Sequence, residues 1–217
     1  MAAVQIHHLP RAALLATRED ISLDTAVVLD FFEFIRAFVA NPRQVSAVAP
    51  SGQTLTRLMT QEIVPGAGPV IELGPGTGTF TKALLRRGVP ERDLLLVEYG
   101  SDFVRLLQER FPRARVLWMD ARQLSQYEPF IAPAAAVVSG LPLLSMSPRK
   151  VIAILSGAFR HMRDDGTFYQ FTYGPRCPVP RPILDRLGLK ASLVGRTAFN
   201  IPPASVYRIR RRPQRRI

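Results

Sequence analysis

The residues best suited to chemistry are a glycine-rich run and the acids that follow it. Val70-Ile71-Glu72-Leu73 is an apolar run with one carboxylate, and it leads straight into Gly74-Pro75-Gly76-Thr77-Gly78. Glycine turns the backbone tightly and lets a ligand approach where a Cβ would stand. A helix opening just after such a turn offers unpaired N–H groups to polar ligand atoms. Two nucleotide fingerprints are excluded by the residues that follow. The dinucleotide pattern needs a glycine three positions after its second one, where Thr79 stands. The phosphate loop needs Gly-Lys-Ser/Thr, whereas Lys82 follows Thr81. Further on, Leu94-Leu95-Leu96-Val97 ends in Glu98, and a third apolar stretch ends in Met119-Asp120-Ala121. A carboxylate at a strand tip accepts two hydrogen bonds from a ribose-type diol.

Placing these acids in register needs alternating strands and helices. Val70–Leu73, Leu94–Glu98, Arg115–Met119, Ala134–Ser139 and Thr167–Tyr173 read as strands. Thr77–Arg87, Ser101–Arg110 and Pro148–Met162 read as the helices between them, with Ser101 as a cap and Pro148 in a first turn. Leu189–Phe199 and Ser205–Arg210 read as two late strands with little helix between them, an antiparallel hairpin at one edge. The expectation is an α/β fold with helices on both faces of a mostly parallel, seven-stranded sheet. Residues 1–66 form an N-terminal segment ahead of a core over 67–217. In that segment Asp24–Ala40 carries a broad apolar face built on Val27, Phe31, Phe34, Ile35 and Phe38, stopped by Asn41-Pro42. A second helix is expected from about Ser51 to Glu62.

Composition narrows the partners. The chain has 217 residues, 47% hydrophobic and 21% charged, which suits one folded domain. No apolar run is long and helical enough to span a bilayer, and no secretory start is apparent, so a cytoplasmic location is expected. Cys177 is the single cysteine and His7, His8 and His161 have no metal-ligand spacing with it, so no metal is expected. A formal charge of +12, with a basic tail from Arg208 to Arg216, favours anionic partners.

The run Glu72-Leu73-Gly74-Pro75-Gly76-Thr77-Gly78, with Glu98 and Asp120 behind it, resembles motif I and its companions in the Rossmann-like class I S-adenosylmethionine methyltransferases. The resemblance implies S-adenosylmethionine as cofactor. Glu72 would then face its amino-acid end, Glu98 and Tyr99 its ribose, and Asp120 and Ala121 its adenine, with Ser139 also beside it. Val137-Val138-Ser139-Gly140-Leu141-Pro142-Leu143-Leu144 stands where motif IV belongs. Enzymes that methylate a flipped base carry an Asn or Asp first and a stacking aromatic later. Ser139 and Leu143 occupy those places, so a base would lose a stacking platform worth about 1–3 kcal/mol.

Ser139–Leu144 together with Asn41-Pro42, Val45–Ser51, Tyr173-Gly174-Pro175 and Asn200–Ala204 resembles the bacterial phospholipid N-methyltransferases. That implies conversion of phosphatidylethanolamine towards phosphatidylcholine, with residues 24–40 and basic side chains holding the protein peripherally on the cytoplasmic membrane face. Tyr173, Tyr99 and the Gly140 carbonyl are the candidates to orient the acceptor amine, and Arg176, Arg181, Arg196 and Arg208 to meet the lipid phosphate. Ornithine lipid is an alternative acceptor. An RNA adenine dimethyltransferase is disfavoured by motif IV and by the short stretch left after the sheet, so no nucleic-acid partner is expected. A non-catalytic membrane module is disfavoured by the intact Glu72, Glu98 and Asp120.

Overall fold

The computed structural model describes residues 50–127, 132–198 and 203–213. The helix expected over 24–40, its Asn41-Pro42 stop, Asn200-Ile201-Pro202 and Arg215-Arg216 lie outside them. The elements are α1 (Pro50–Thr60), β1 (Val70–Leu73), α2 (Thr79–Arg86), β2 (Leu94–Glu98), α3 (Ser101–Arg110), β3 (Arg115–Trp118), β4 (Ala134–Ser139), α4 (Pro148–Arg160), β5 (Met162–Tyr173), α5 (Arg181–Arg186), β6 (Leu189–Thr197) and β7 (Ala204–Arg211). Short 3-10 turns fill 91–93, 121–126 and 143–145.

Seven strands form one sheet in the order β3-β2-β1-β4-β5-β7-β6. Strands β1 to β5 pair in parallel, and β7 runs against both β5 and β6. The late hairpin therefore closes one edge as expected, with β7 inside and β6 outermost. Strands β1 and β2 are buried at every position, which explains why they read as continuous apolar runs and not as alternation. Side chains divide between two cores. One face packs Ile71, Leu73, Val97, Val137 and Phe168 against Val151, Leu155 and Phe159 of α4 and Ile183 of α5. The other packs Val70, Leu96, Val138 and Tyr169 against Leu55 and Met59 of α1, Leu84 of α2 and Leu107 of α3. Each fully buried Leu or Ile contributes about 1.5–3 kcal/mol, so the central strands are held from both sides.

Several boundaries differ from the sequence expectation, each for a local reason. Helix α2 begins at Thr79 and not at Thr77, because the glycine turn continues through Gly78 at φ 80°. Ser101 is already helical and Gly100 is the flanking residue, with no side-chain cap. Strand β5 starts at Met162, because Ala134 pairs with Met162 across an irregularity before Ala136 meets Thr167. Helix α5 hides among Pro178, Pro180 and Pro182, yet Pro182 sits in its first turn, where a missing N–H costs nothing.

Within the basic run, Arg208 and Arg210 lie in the expected late strand and Arg211 extends it. Arg208 pairs with Glu62 at 2.7 Å, Arg210 Nε donates to Thr167 Oγ1 at 2.7 Å, and Arg211 Nη1 donates to the Arg163 carbonyl at 2.7 Å. Arg212 bonds Asp185. Since Ile209 pairs with Phe168, Arg210 and Arg211 fall towards the start of β5, away from the glycine turn. Among the described residues no helix is long and apolar enough to cross a membrane.

Candidate active site

The parallel strands all deliver their carboxyl ends to one edge, and the turns that follow meet there. Gly74, Gly76 and Gly78 hold φ of 66°, 54° and 80°, the left-handed region that side chains avoid. A Cβ on Gly78 would stand 2.5 Å from the Phe111 ring, while one at Gly76 would meet nothing within 4 Å. The turn is thus packed on its inner side and open at its middle. Pro75 is buried and Thr77 half-buried, and the Thr77 carbonyl accepts a bond from Arg110 at 3.0 Å.

Glu72 sits in β1 with no exposed surface. Its Oε2 accepts a hydrogen bond from Thr81 Oγ1 at 2.7 Å, and its buried Oε1 has no partner. Burial pushes this carboxyl up to about 8, opposed by the Thr81 bonds and assisted by nearby Glu98. A fully buried acceptor left unpaired is costly, which marks a site that awaits a donor or a cation. Thr81 was not expected as a partner of Glu72; its signal is its place in the first turn of α2, from which it reaches back to β1.

Glu98 closes the tip of β2. Its Oε1 accepts from the N–H groups of Tyr99 and Gly100 at 2.9 Å each, and its Oε2 from the Gly76 N–H at 3.0 Å. This side chain therefore ties the glycine turn to the neighbouring strand. Asp120 is turned to a different partner. Its Oδ1 accepts from the Arg122 N–H at 2.8 Å and its Oδ2 lies 2.6 Å from the Arg122 guanidinium, which holds the carboxyl below the usual carboxylate range. Asp120 thereby caps the turn over 121–126, with Ala121 buried at its start. Tyr99 is 75% exposed and its carbonyl accepts from Trp118 Nε1 at 3.0 Å.

Motif IV packs directly on the glycine turn. The Gly140 N–H donates to the Leu73 carbonyl at 2.8 Å, and a Cβ at Gly140 would stand 2.6 Å from the Gly74 carbonyl oxygen. Ser139 is fully buried, its Oγ accepting from the Leu141 N–H at 3.3 Å. Gln170 is equally buried and was not anticipated. Its Nε2 donates to the carbonyls of Leu141 and Phe171 at 2.9 and 2.8 Å, leaving Oε1 without a partner. The pairing of Ser139 with Gln170 across β4 and β5 is what places it there.

Tyr173 ends β5, and burial raises its phenol. Tyr99 and Tyr173 are not brought together. Their strands stand three steps apart in the sheet, about 14 Å at the usual strand spacing. Of the four arginines considered for an anion, Arg208 is engaged by Glu62 and Arg181 lies 3.8 Å from Asp185. Arg176 and Arg196 are exposed and form no ion pair among the described residues. Ser205, which pairs with Arg196, donates to the Gly174 carbonyl at 2.7 Å, two residues before Arg176.

No family model matches the chain. It is 34% identical over 184 residues to the ornithine lipid N-methyltransferase of Singulisphaera acidiphila, spanning 82% of this chain and 94% of that protein. It is 32% identical over 115 residues to the ribosomal RNA small subunit methyltransferase A of a Bradyrhizobium strain, a match to 48% of this chain and 40% of that protein. Among solved structures, a TehB-like S-adenosylmethionine-dependent methyltransferase from Corynebacterium glutamicum superposes with a TM-score of 0.58 at 16% identity, covering 87% of this chain and all of that one. The glycopeptide N-methyltransferase MtfA with bound S-adenosylmethionine gives 0.54 at 13% identity, over 75% of this chain and 95% of that one. With its seven-stranded sheet, its glycine turn and a relative this similar over nearly its whole length, the chain belongs to the class I S-adenosylmethionine-dependent methyltransferases.

Proposed function

We propose that the protein methylates the head-group amine of a membrane amino-lipid, with ornithine lipid the first acceptor to test and phosphatidylethanolamine the second. The observation that carries this is the 34% identity to an ornithine lipid N-methyltransferase across 94% of that enzyme. The phosphatidylethanolamine reading rests on Ser139–Leu144 and its companion motifs. Motif IV supports a small amine over a base, since Leu143 is 1% exposed and offers no ring for stacking.

S-adenosylmethionine supplies an electrophilic methyl on a sulfonium. The residues present suit such a ligand: an unpaired buried Glu72 oxygen for its cationic end, an open Gly76 for close approach, and, for a hydroxyl, the one acceptor position that three backbone N–H bonds leave on Glu98. The protein's own task is then to present a neutral amine in line. A lipid ammonium with a pKa near that of lysine costs about 4–5 kcal/mol to deprotonate at pH 7 unless the site lowers it. The neutral phenol of Tyr173 and the Gly140 carbonyl orient the remaining N–H bonds, so that the lone pair points at the methyl carbon. Arg176 and Arg196 receive the anionic half of the head group, carboxylate or phosphate.

The test is transfer of labelled methyl into vesicles containing ornithine lipid, phosphatidylethanolamine or neither, with 16S ribosomal RNA as a fourth arm. Label in either amino-lipid is expected, and the more heavily labelled one names the acceptor. Unlabelled lipid from protein that binds cofactor would end the lipid reading, and label in the RNA would replace it.

A further inference from the structure

Three aromatic rings stand together at the carboxyl edge, and nothing in the preceding chemistry uses them as a group. Phe171 is the middle ring. Its centroid lies 5.7 Å from that of Tyr173 with the planes at 83°, and 5.9 Å from that of Phe80 at 61°. All three side chains are half-buried. The contrast with another ring of β5 and its partner on α4 is informative. Phe168 and Phe159 stack with planes at 19° and are 0% and 7% exposed, as rings that merely fill a core would be.

Their place in the fold gives the trio its meaning. Phe80 belongs to the first turn of α2, two residues past Gly78. Phe171 and Tyr173 lie on one face of β5 by strand alternation, the face they share with α1 and α2. Ser139 pairs with Gln170, so Phe171 stands level with Gly140. Gly140 in turn abuts the Gly74 carbonyl. The rings thus flank the junction of the glycine turn and motif IV, where an acceptor amine must come.

We propose that Phe80, Phe171 and Tyr173 form a partial aromatic box that binds the N-methylated ammonium of the acceptor, favouring amines that already carry a methyl. This rests on the amino-lipid reading given above. Faces of steeply inclined rings attract a methylated ammonium through their quadrupoles, and its methyl groups are less hydrated than a bare ammonium. The rings hold the charged ammonium between rounds, and once it is deprotonated only dispersion contacts with its methyls remain, so the lone pair is free to turn to the sulfonium methyl. Each round forms one N–C bond, breaks one S–C bond and releases one proton from the ammonium to solvent. The box retains the mono- and dimethyl products between rounds, and the enzyme runs towards the quaternary amine.

The proposal is tested with the full chain and vesicles of unmethylated, monomethyl and dimethyl amino-lipid. Phe171→Leu and Phe80→Leu should lower the ratio of kcat/KM for the dimethyl acceptor over the unmethylated one about tenfold. Phe171→Tyr, which keeps the ring, should restore it. A ratio unchanged in folded, cofactor-binding Leu variants overturns the box. A second measurement separates this from the lipid reading. Choline should bind wild type about ten times tighter than its uncharged isostere 3,3-dimethylbutanol, and Phe171→Leu should erase the difference. Equal binding of the two overturns the box whatever lipid is methylated. Preferential choline binding without lipid methylation keeps the box and removes the acceptor reading.

Discussion

Glu72 allows a prediction whose size follows from its surroundings. Burial holds its carboxyl at about 8 in the fold, against 4.5 for the solvated side chain. The folded state therefore binds one more proton than the unfolded chain between those values, and stability is lost as pH rises through that window. The slope is at most about 1.4 kcal/mol per pH unit, so about 5 kcal/mol separates the two ends and about 3 kcal/mol is lost by pH 7. Glu72→Gln removes the titration and can keep an oxygen for Thr81 Oγ1. Urea unfolding of wild type and variant at half-unit steps from pH 5.5 to 8.5 isolates the group, because every other titration cancels in the difference. The variant should gain on wild type with each step up to about pH 8 and level off beyond. A flat difference would mean that Glu72 is ionised in the fold, and the argument from its burial would be refuted. The same proton links to ligand binding. A cation placed at the unpaired Oε1 favours the carboxylate, so cofactor binding below pH 8 should release a proton, read by calorimetry in buffers of different ionisation enthalpy.

Other substitutions test the remaining parts of the edge. Gly140→Ala puts a methyl 2.6 Å from the Gly74 carbonyl, a backbone atom that cannot swing away, and should cost about 1–3 kcal/mol and weaken cofactor binding by titration calorimetry. Gln170→Leu deletes the donor to Leu141 and Phe171, leaving two part-buried carbonyls a bond short, and should lower stability by about 1–3 kcal/mol in urea. Tyr173→Phe keeps the ring and removes the hydroxyl. It should lower kcat about 10–100-fold with cofactor affinity intact, and wild-type turnover would remove the hydroxyl from the chemistry.

The central strands were legible because burial on both faces leaves a near-continuous apolar run, and Val70–Leu73 and Leu94–Glu98 are such runs. Glycine runs are likewise legible, since a left-handed turn tolerates little else. The start of β5 was not, because Arg163, Asp164 and Asp165 look like a loop and join the sheet only through an irregular pairing with β4. Nor was the fate of the C-terminal arginines. Their charge was visible, but Glu62, Asp185 and the Arg163 carbonyl reach them from distant parts of the chain.

The two halves of the site differ in this respect for a physical reason. The proposed cofactor half is built within one stretch of chain, where strand, turn and helix follow in order and Glu98 binds the very turn that precedes it. Local sequence therefore carries it. The proposed acceptor half is assembled across β1, β4 and β5. Gly140 matters because Gly74 lies against it, Gln170 because it faces Ser139, and Phe171 because Phe80 comes round from α2. None of these pairs is adjacent in sequence, and each residue alone reads as ordinary core. On the proposed reading, acceptor choice in this protein is set by contacts that only the folded sheet makes, so variants at Phe80, Phe171 and Gln170 should move acceptor preference more than variants in the glycine turn.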